Sequence, residues 1–391
     1  MSTMGWSRIR LLIVSAALVS SAMVGTSASA NAAQRTTAIT MEAATAYTPL
    51  APKGSTDDYH CTLVDPHVAQ NSFIVSSHFF PHSPEVHHAI VFLVPPELAA
   101  AARAADQGGK GWTCFGESAL PHTVAINHIS NTPWLSAWGP GHGLDVVPAG
   151  TGVPIPAGSL VVLQVHYNLL AGDRPVRVEM QLHTVPASAP LRPLSLMLLP
   201  APPDVPCPAG VTGPLCNRAA SLANLGQRFG TQQVHFVDNI ESFCGRNPSN
   251  PPSGDTTSCT WPVGQSGNVV RLGVHMHLLG RAMQIVLDPG TPQAKTLLNV
   301  TNYNFDYQRA YTLQTPVPVK PTDTIGVTCT YDPKLAQELP ALRKVPPHFV
   351  TWGDGSSDEM CLALVQTVPP PSVSEAAAKA AAFAPNQPGR Y

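Results

Sequence analysis

The sequence predicts an all-β protein, and three observations carry that expectation. Charged residues make up only 12% of the 391, too few for the Glu- and Lys-rich faces that surface helices carry. Proline (41 residues) and glycine (29) punctuate the chain at short intervals. Between them recur β-branched and aromatic runs such as "NSFIVSSHFF", "VHHAIVFLVP" and "PAGSLVVLQVHYNLL", the pattern of short strands joined by turns in a sandwich or jelly roll.

The elements follow in order. Arg8 and Arg10 precede an apolar run, "LLIVSAALVSSAMVG", and then small residues, "TSASANAA", that offer cleavage after Ala30 or Ala33. Residues 1–33 therefore read as a secretory signal peptide, and the expected product is secreted. The run is too short and too rich in small residues for a membrane span, and no later apolar stretch is long enough for one. Residues 34–55 are polar, small and unpatterned, which predicts a flexible N-terminal extension. A first β domain is expected over residues 56–190, interrupted by one helical insert, "PELAAAARAADQGG". The segment 184–208 is dense in proline, which removes ladder donors and disfavours helix and central strand alike, and it places the domain boundary near residue 190. A second β domain over 191–370 is expected from "TQQVHFVDNI", "NVVRLGVHMHLLGRAMQIVLD", "KTLLNVTNYNFDYQRAYTL", "DTIGVTCTYD" and "EMCLALVQTV". Residues 371–391 form a tail with a short Ala-rich helical stretch.

Lys plus Arg number 22 against 24 Asp plus Glu, so the chain lacks the basic footprint of a nucleic-acid or anionic-membrane binder. Eight cysteines, an even number in a chain expected to be exported, read as disulfides. No CxxC occurs, which leaves a thiolate zinc site or a thioredoxin-like redox pair without support. Cys207 with Cys216 and Cys244 with Cys259 flank short Pro- and Gly-rich loops and are expected as local staples.

The chemistry sits in the histidines. In "GVHMHLLG", residues 273–280, strand periodicity points His275 and His277 to one face and Met276 to the other. Two neutral imidazoles on one face form a bidentate metal site. Such a pair alone is weak, but His87 and His88 in "EVHHAIVFLV" and His166 in "VVLQVHYN" bring the count to five in three strand-like runs. Neighbours in a regular strand face opposite sides, so His87 and His88 require a bulge or binding through different ring nitrogens. Met360 precedes Cys361 in "GSSDEMC", and imidazole with a thioether suits copper better than zinc.

In this order, "EVHHAIVFL", "AWGPGHG" with "PAGSLVVLQVHYN", "GVHMHLLGR" and "GSSDEMC" resemble the copper type II, ascorbate-dependent monooxygenases, such as peptidylglycine α-hydroxylating monooxygenase and dopamine β-monooxygenase. The resemblance runs from Tyr59 to Val368. It implies two consecutive antiparallel jelly-roll β-sandwich domains, each with one copper, facing across a solvent-filled cleft. His87, His88 and His166 would hold the electron-transfer copper, and His275, His277 and Met360 the oxygen-activating one. Gln164, two residues before His166, would face the space between the domains and serve the electron path. Cys61–Cys114 and Cys329–Cys361 match disulfide positions of the family. The reaction implied is insertion of one oxygen atom from O2 into a C–H bond of a small-molecule substrate, with ascorbate as the outside reductant.

The sequence departs from the peptide-hydroxylating members where they bind a substrate carboxylate. Gly273 stands in place of an arginine, and Leu362 and Leu364 in place of polar side chains. A more apolar substrate follows from these replacements. The same scaffold used as a copper-binding or copper-buffering export protein is the alternative they leave open.

Overall fold

The computed structural model describes residues 36–42, 45–120 and 132–384; the expected signal peptide lies outside them. The strands of the first half are β1 (Thr37–Glu42), β2 (Asp57–Val64), β3 (Ser72–Phe80), β4 (Val86–Val94), β5 (Trp112–Thr113), β6 (Trp134–Trp138), β7 (Asp145–Val146), β8 (Thr151–Ile155), β9 (Leu160–Asn168), β10 (Glu179–Pro186) and β11 (Arg192–Pro193). They form a sheet in the order β1-β10-β3-β8-β11, with β7 beside β3, and a second in the order β5-β2-β9-β4-β6. Met41, Ile74, Met180 and Leu182 of one sheet share a core with Ala89, Val91, Leu163 and Val165 of the other, which makes the pair a sandwich. The reverse face of β4 and β9, with Ile90, Phe92 and Val162, is covered by α1 (Ala99–Ala105) and the Cys61–Cys114 bridge. Burial on both faces is why β4 reads as a continuous apolar run instead of an alternating one.

The second half supplies β12 (Ser195–Pro200), β13 (Asp204–Val205), β14 (Thr256–Pro262), β15 (Gly267–Met276), β16 (Gly280–Leu287), β17 (Lys295–Val300), β18 (Ala310–Val319), β19 (Thr324–Tyr331), β20 (Val350–Thr351) and β21 (Cys361–Val368). Two four-stranded sheets, β12-β21-β15-β18 and β14-β19-β16-β17, enclose one core, and β13 pairs β20. Strand β14, "TTSCTWP", alternates strictly, with Thr257, Cys259 and Trp261 inward, as a half-buried strand must. The Cys329–Cys361 bridge joins β19 to β21 across the two sheets. Closing its 32-residue span stabilises by about 3–4 kcal/mol on a loop-entropy view. Cys207–Cys216 and Cys244–Cys259 complete the four disulfides.

Two expectations need correction. The stretch 34–55 is not a free extension, because β1 pairs along its length with β10 and buries Met41; the alternation of Ile39 and Met41 is its strand signal. "TQQVHFVDNI" is helical: α3 (Thr231–Phe243) follows α2 (Arg218–Phe229), and the buried Gln233, Val237, Ile240 and Glu241 repeat at helical spacing. Within the proline-rich segment, β12 does form, at the edge of its sheet, where a proline costs no ladder bond. Helix α1 lies inside the expected helical insert. The tail carries α4 (Glu375–Ala382), anchored where Phe383 packs on Phe73 and Lys379 donates to the Ala189 carbonyl. Among the described residues no helix is long and apolar enough to cross a membrane.

Candidate metal centre

His88 and His166 face each other across β4 and β9, and the register slips between Val86 and His88. That bulge resolves the adjacent-histidine problem: His87 is left outside the ladder and turns to the same side as its neighbour. Ring nitrogens of His87, His88 and His166 lie within 4.8 Å of one another. The Nδ1 atoms of His87 and His88 are 3.4 Å apart, and those of His166 and His88 3.1 Å. Three imidazoles bound to one ion at about 2.0 Å sit roughly 3.3–3.5 Å apart, so the donor set fits a single metal.

The orientation of each ring is set by what holds its other nitrogen. His166 Nε2–H donates to Asp57 Oδ1 at 2.9 Å, which turns Nδ1 toward the cluster. Asp57 also accepts from the Ser356 amide (3.0 Å) and hydroxyl (2.6 Å). Burial raises the Asp57 carboxyl, but the bonds from His166 and Ser356 outweigh it and hold it below the ordinary carboxylate range. Tyr59 stacks on the His166 ring at 4.2 Å between centroids and donates its hydroxyl to the Asp354 carbonyl at 3.0 Å.

His275 lies near the end of β15 and His277 just beyond it, their ring centroids 5.2 Å apart. The Gln308 amide nitrogen donates to Phe305 O, so its oxygen is the acceptor for His275 Nδ1–H at 2.7 Å. His277 Nδ1–H donates to the Asp358 carbonyl at 3.2 Å. Both bonds leave Nε2 as the bare nitrogen, and both Nε2 atoms are buried without a partner among the described residues. Such orphaned acceptors with a fixed tautomer are what a metal ligand presents. The Glu359 carboxylate accepts from the His277 and Leu279 amides at 2.9 and 2.6 Å and so builds the turn that delivers His277. Burial pushes that carboxyl up to about 8. Met276 faces away, fully buried in the core, its backbone bracketed by the Tyr303 hydroxyl.

Burial pushes His275 down to about 4 and His277 down to about 3. Desolvation followed by neighbouring histidines also holds His87 and His88 well below the ordinary imidazole value. In the metal-free folded protein His275 and His277 are therefore expected to stay neutral as pH falls through about 6.5, where free imidazole titrates. An unfolded chain takes up those two protons near 6.5, so through these rings acidification from about 6.5 to 4 favours unfolding. Ring-nitrogen NMR checks this, and titration of either ring near 6.5 would contradict the burial.

The two histidine groups do not face each other across an open cleft. The His88 and His275 rings meet edge to face with centroids 5.8 Å apart, and Phe305 stacks on His87 at 4.1 Å while lying 6.1 Å from His277. Met360 directly precedes β21, packs with Leu225, Phe229 and Trp352, and borders the same cavity as His88 and His275. Gln164 does border that cavity, but its amide nitrogen is committed to the carbonyls of Cys114 (3.0 Å) and Glu117 (2.6 Å), which fixes a wall loop in place. Asp57, Gln308 and Asp358 were not legible as ring holders in the sequence, because they lie 109, 33 and 81 residues from the histidines they orient.

Residues 255–376 match the family model of the copper type II ascorbate-dependent monooxygenases, C-terminal domain. That segment contains His275, His277 and Met360. No curated protein matches the chain. Among solved structures the chain is similar to PNGase F, a glycosylasparaginase from Flavobacterium meningosepticum, at 8% identity over 85% of this chain and 96% of that one, with a TM-score of 0.29. A fucolectin from striped bass (Morone saxatilis) serum aligns at 8% identity over 85% and 96% with a TM-score of 0.19. Allantoicase aligns at 8% over 70% and 77% with a TM-score of 0.18.

Proposed function

We propose that the chain is a secreted copper-dependent monooxygenase that hydroxylates a C–H bond of a small organic substrate, with O2 as oxygen source and ascorbate as external reductant. One observation carries the reading: five imidazoles from two β-sandwiches converge, and His166, His275 and His277 each have one nitrogen tied back, which leaves Nε2 of His275 and His277 bare and turns His166 Nδ1 toward His88. The family match over residues 255–376 supports the same chemistry. On this reading His87, His88 and His166 would hold one copper, and His275, His277 and Met360 the other. Bound copper supplies one-electron redox chemistry and a site for O2.

The chain's own part is positioning. Asp57, Gln308 and the Asp358 carbonyl lock ring tautomers, and buried surroundings keep the rings unprotonated. Ser356 ties the loop before Met360 to Asp57, and so to His166. A signal peptide over residues 1–33, jelly-roll connectivity in both sandwiches and a division into domains near residue 190 belong to the same reading.

The balance is that R–H, O2, two electrons and two protons give R–OH and water, with ascorbate as electron donor. Copper-loaded protein supplied with ascorbate and 18O2 is expected to yield a product carrying one 18O atom. Two bound coppers with no ascorbate-dependent oxygenation across a broad substrate library would instead mark a copper-binding protein.

A further inference from the structure

Beside the histidines lies a solvent-accessible cavity of about 820 Å3 whose wall includes His88, His275 and Met360. A second chamber of about 430 Å3 adjoins it, and Trp134, Gly273, Ala310 and Leu364 line both. Each volume falls within the range of about 300–1,000 Å3 typical of small-molecule sites. The lining of the larger chamber is rich in aromatics: Phe115 and Trp134 from the first sandwich, and Phe229, Phe236, Phe243 and Trp352.

Gly273 is the neck between the chambers. It pairs with Leu364 on one side and Ala310 on the other, and a Cβ placed on it would come within 3.2 Å of Leu364 Cβ. A larger side chain at Ala310 would narrow the passage, and one at Gly273 would do so only by displacing Leu364. Several of the charged groups that line the chambers are engaged within the protein: Arg271 is paired with Asp145, and Asp354 accepts from the Gln233 amide at 2.9 Å. Arg309 is exposed and lies over the Tyr307 ring. The polar atoms left over are uncharged. Trp134 Nε1, Gln233 Oε1 and Gln366 Oε1 are buried without a partner among the described residues. They could bond a hydroxyl, carbonyl or amide, whereas a carboxylate buried in these chambers would lose hydration, because Arg309, the lining cation without an ion pair among the described residues, is solvent-exposed.

Resting on the monooxygenase reading above, we propose that the substrate is a neutral, elongated and largely apolar molecule. It lies with one end against His275 and Met360 and threads past Gly273 into the second chamber. Exclusion of charge and the open neck at Gly273 set its class.

The test uses Nile red, a neutral apolar dye, on copper-free and copper-loaded protein. Saturable binding is expected in both, with displacement by dodecanol at least tenfold tighter than by dodecanoate at pH 8. Gly273→Phe and, independently, Ala310→Phe are each expected to weaken the dye at least tenfold while copper content and circular dichroism hold. Dye binding untouched by both substitutions in folded protein, or dodecanoate competing as well as dodecanol, would overturn the proposal. The two readings fail separately. A protein that binds the dye as described but no copper keeps the ligand class and sinks the monooxygenase, and a two-copper protein indifferent to both substitutions does the reverse.

Discussion

Alanine at His277 is expected to remove about one copper ion per chain and to lower ascorbate-driven turnover by about three orders of magnitude or more. A metal centre contributes several kcal/mol of transition-state stabilisation, and each 1.36 kcal/mol is about tenfold in rate. The substitution takes away a bare Nε2 that has no other partner among the described residues, and a bond to the Asp358 carbonyl. It leaves intact the main-chain bond from residue 277 to Glu359 that shapes the turn, so the fold is expected to persist. Met276→Leu is the matched control: Met276 sits in the opposite core with no exposure, and copper content is expected to stay at the wild-type value. Metal analysis and oxygen uptake on the two variants check both expectations.

The second large effect is on stability. Arg228 on α2 donates to both carboxylate oxygens of Asp358, at 2.8 and 2.6 Å, and both side chains are at most 4% exposed. Arg228→Ala leaves the buried Asp358 carboxylate with only His348, 3.9 Å away, in place of two direct hydrogen bonds, and is expected to cost about 3–5 kcal/mol. The same loop carries the carbonyl that holds His277, so copper affinity at the second site should fall with it. A combined Arg228→Met, Asp358→Leu protein removes both charges and should recover much of the stability. Urea unfolding of the two variants decides the matter: equal losses in the single and double substitutions would show that the ion pair is not the cause.

The fold class was legible because β-branched runs between proline and glycine have few other uses, and the five histidines were legible because strand period and spacing expose them. The helical pair α2–α3 was not. Val234, Phe236, Val237 and Ile240 pass for a strand run, although Asn217, whose side chain accepts from the Ala220 amide, is a helix N-cap in plain sequence. That pair matters, because Phe229, Phe236 and Phe243 wall the cavity beside His88 and His275. The residues that orient the rings were hidden for a different reason. Asp57 and Ser356 lie 299 positions apart and meet only after both sandwiches have formed. The closeness of His88 to His275 likewise follows from tertiary packing, which no local period encodes. Met276 and Met360 show the useful limit of periodicity: it rightly sent Met276 to the core, yet it could not by itself choose the sulfur that borders the site.

The most direct measurement is X-ray absorption at the copper edge, with metal stoichiometry, on the wild-type protein and Met360→Leu. The account predicts about two coppers per chain, imidazole ligation throughout and one copper–sulfur contact that disappears in the variant. A single copper, or a copper–sulfur contact that survives Met360→Leu, would contradict it.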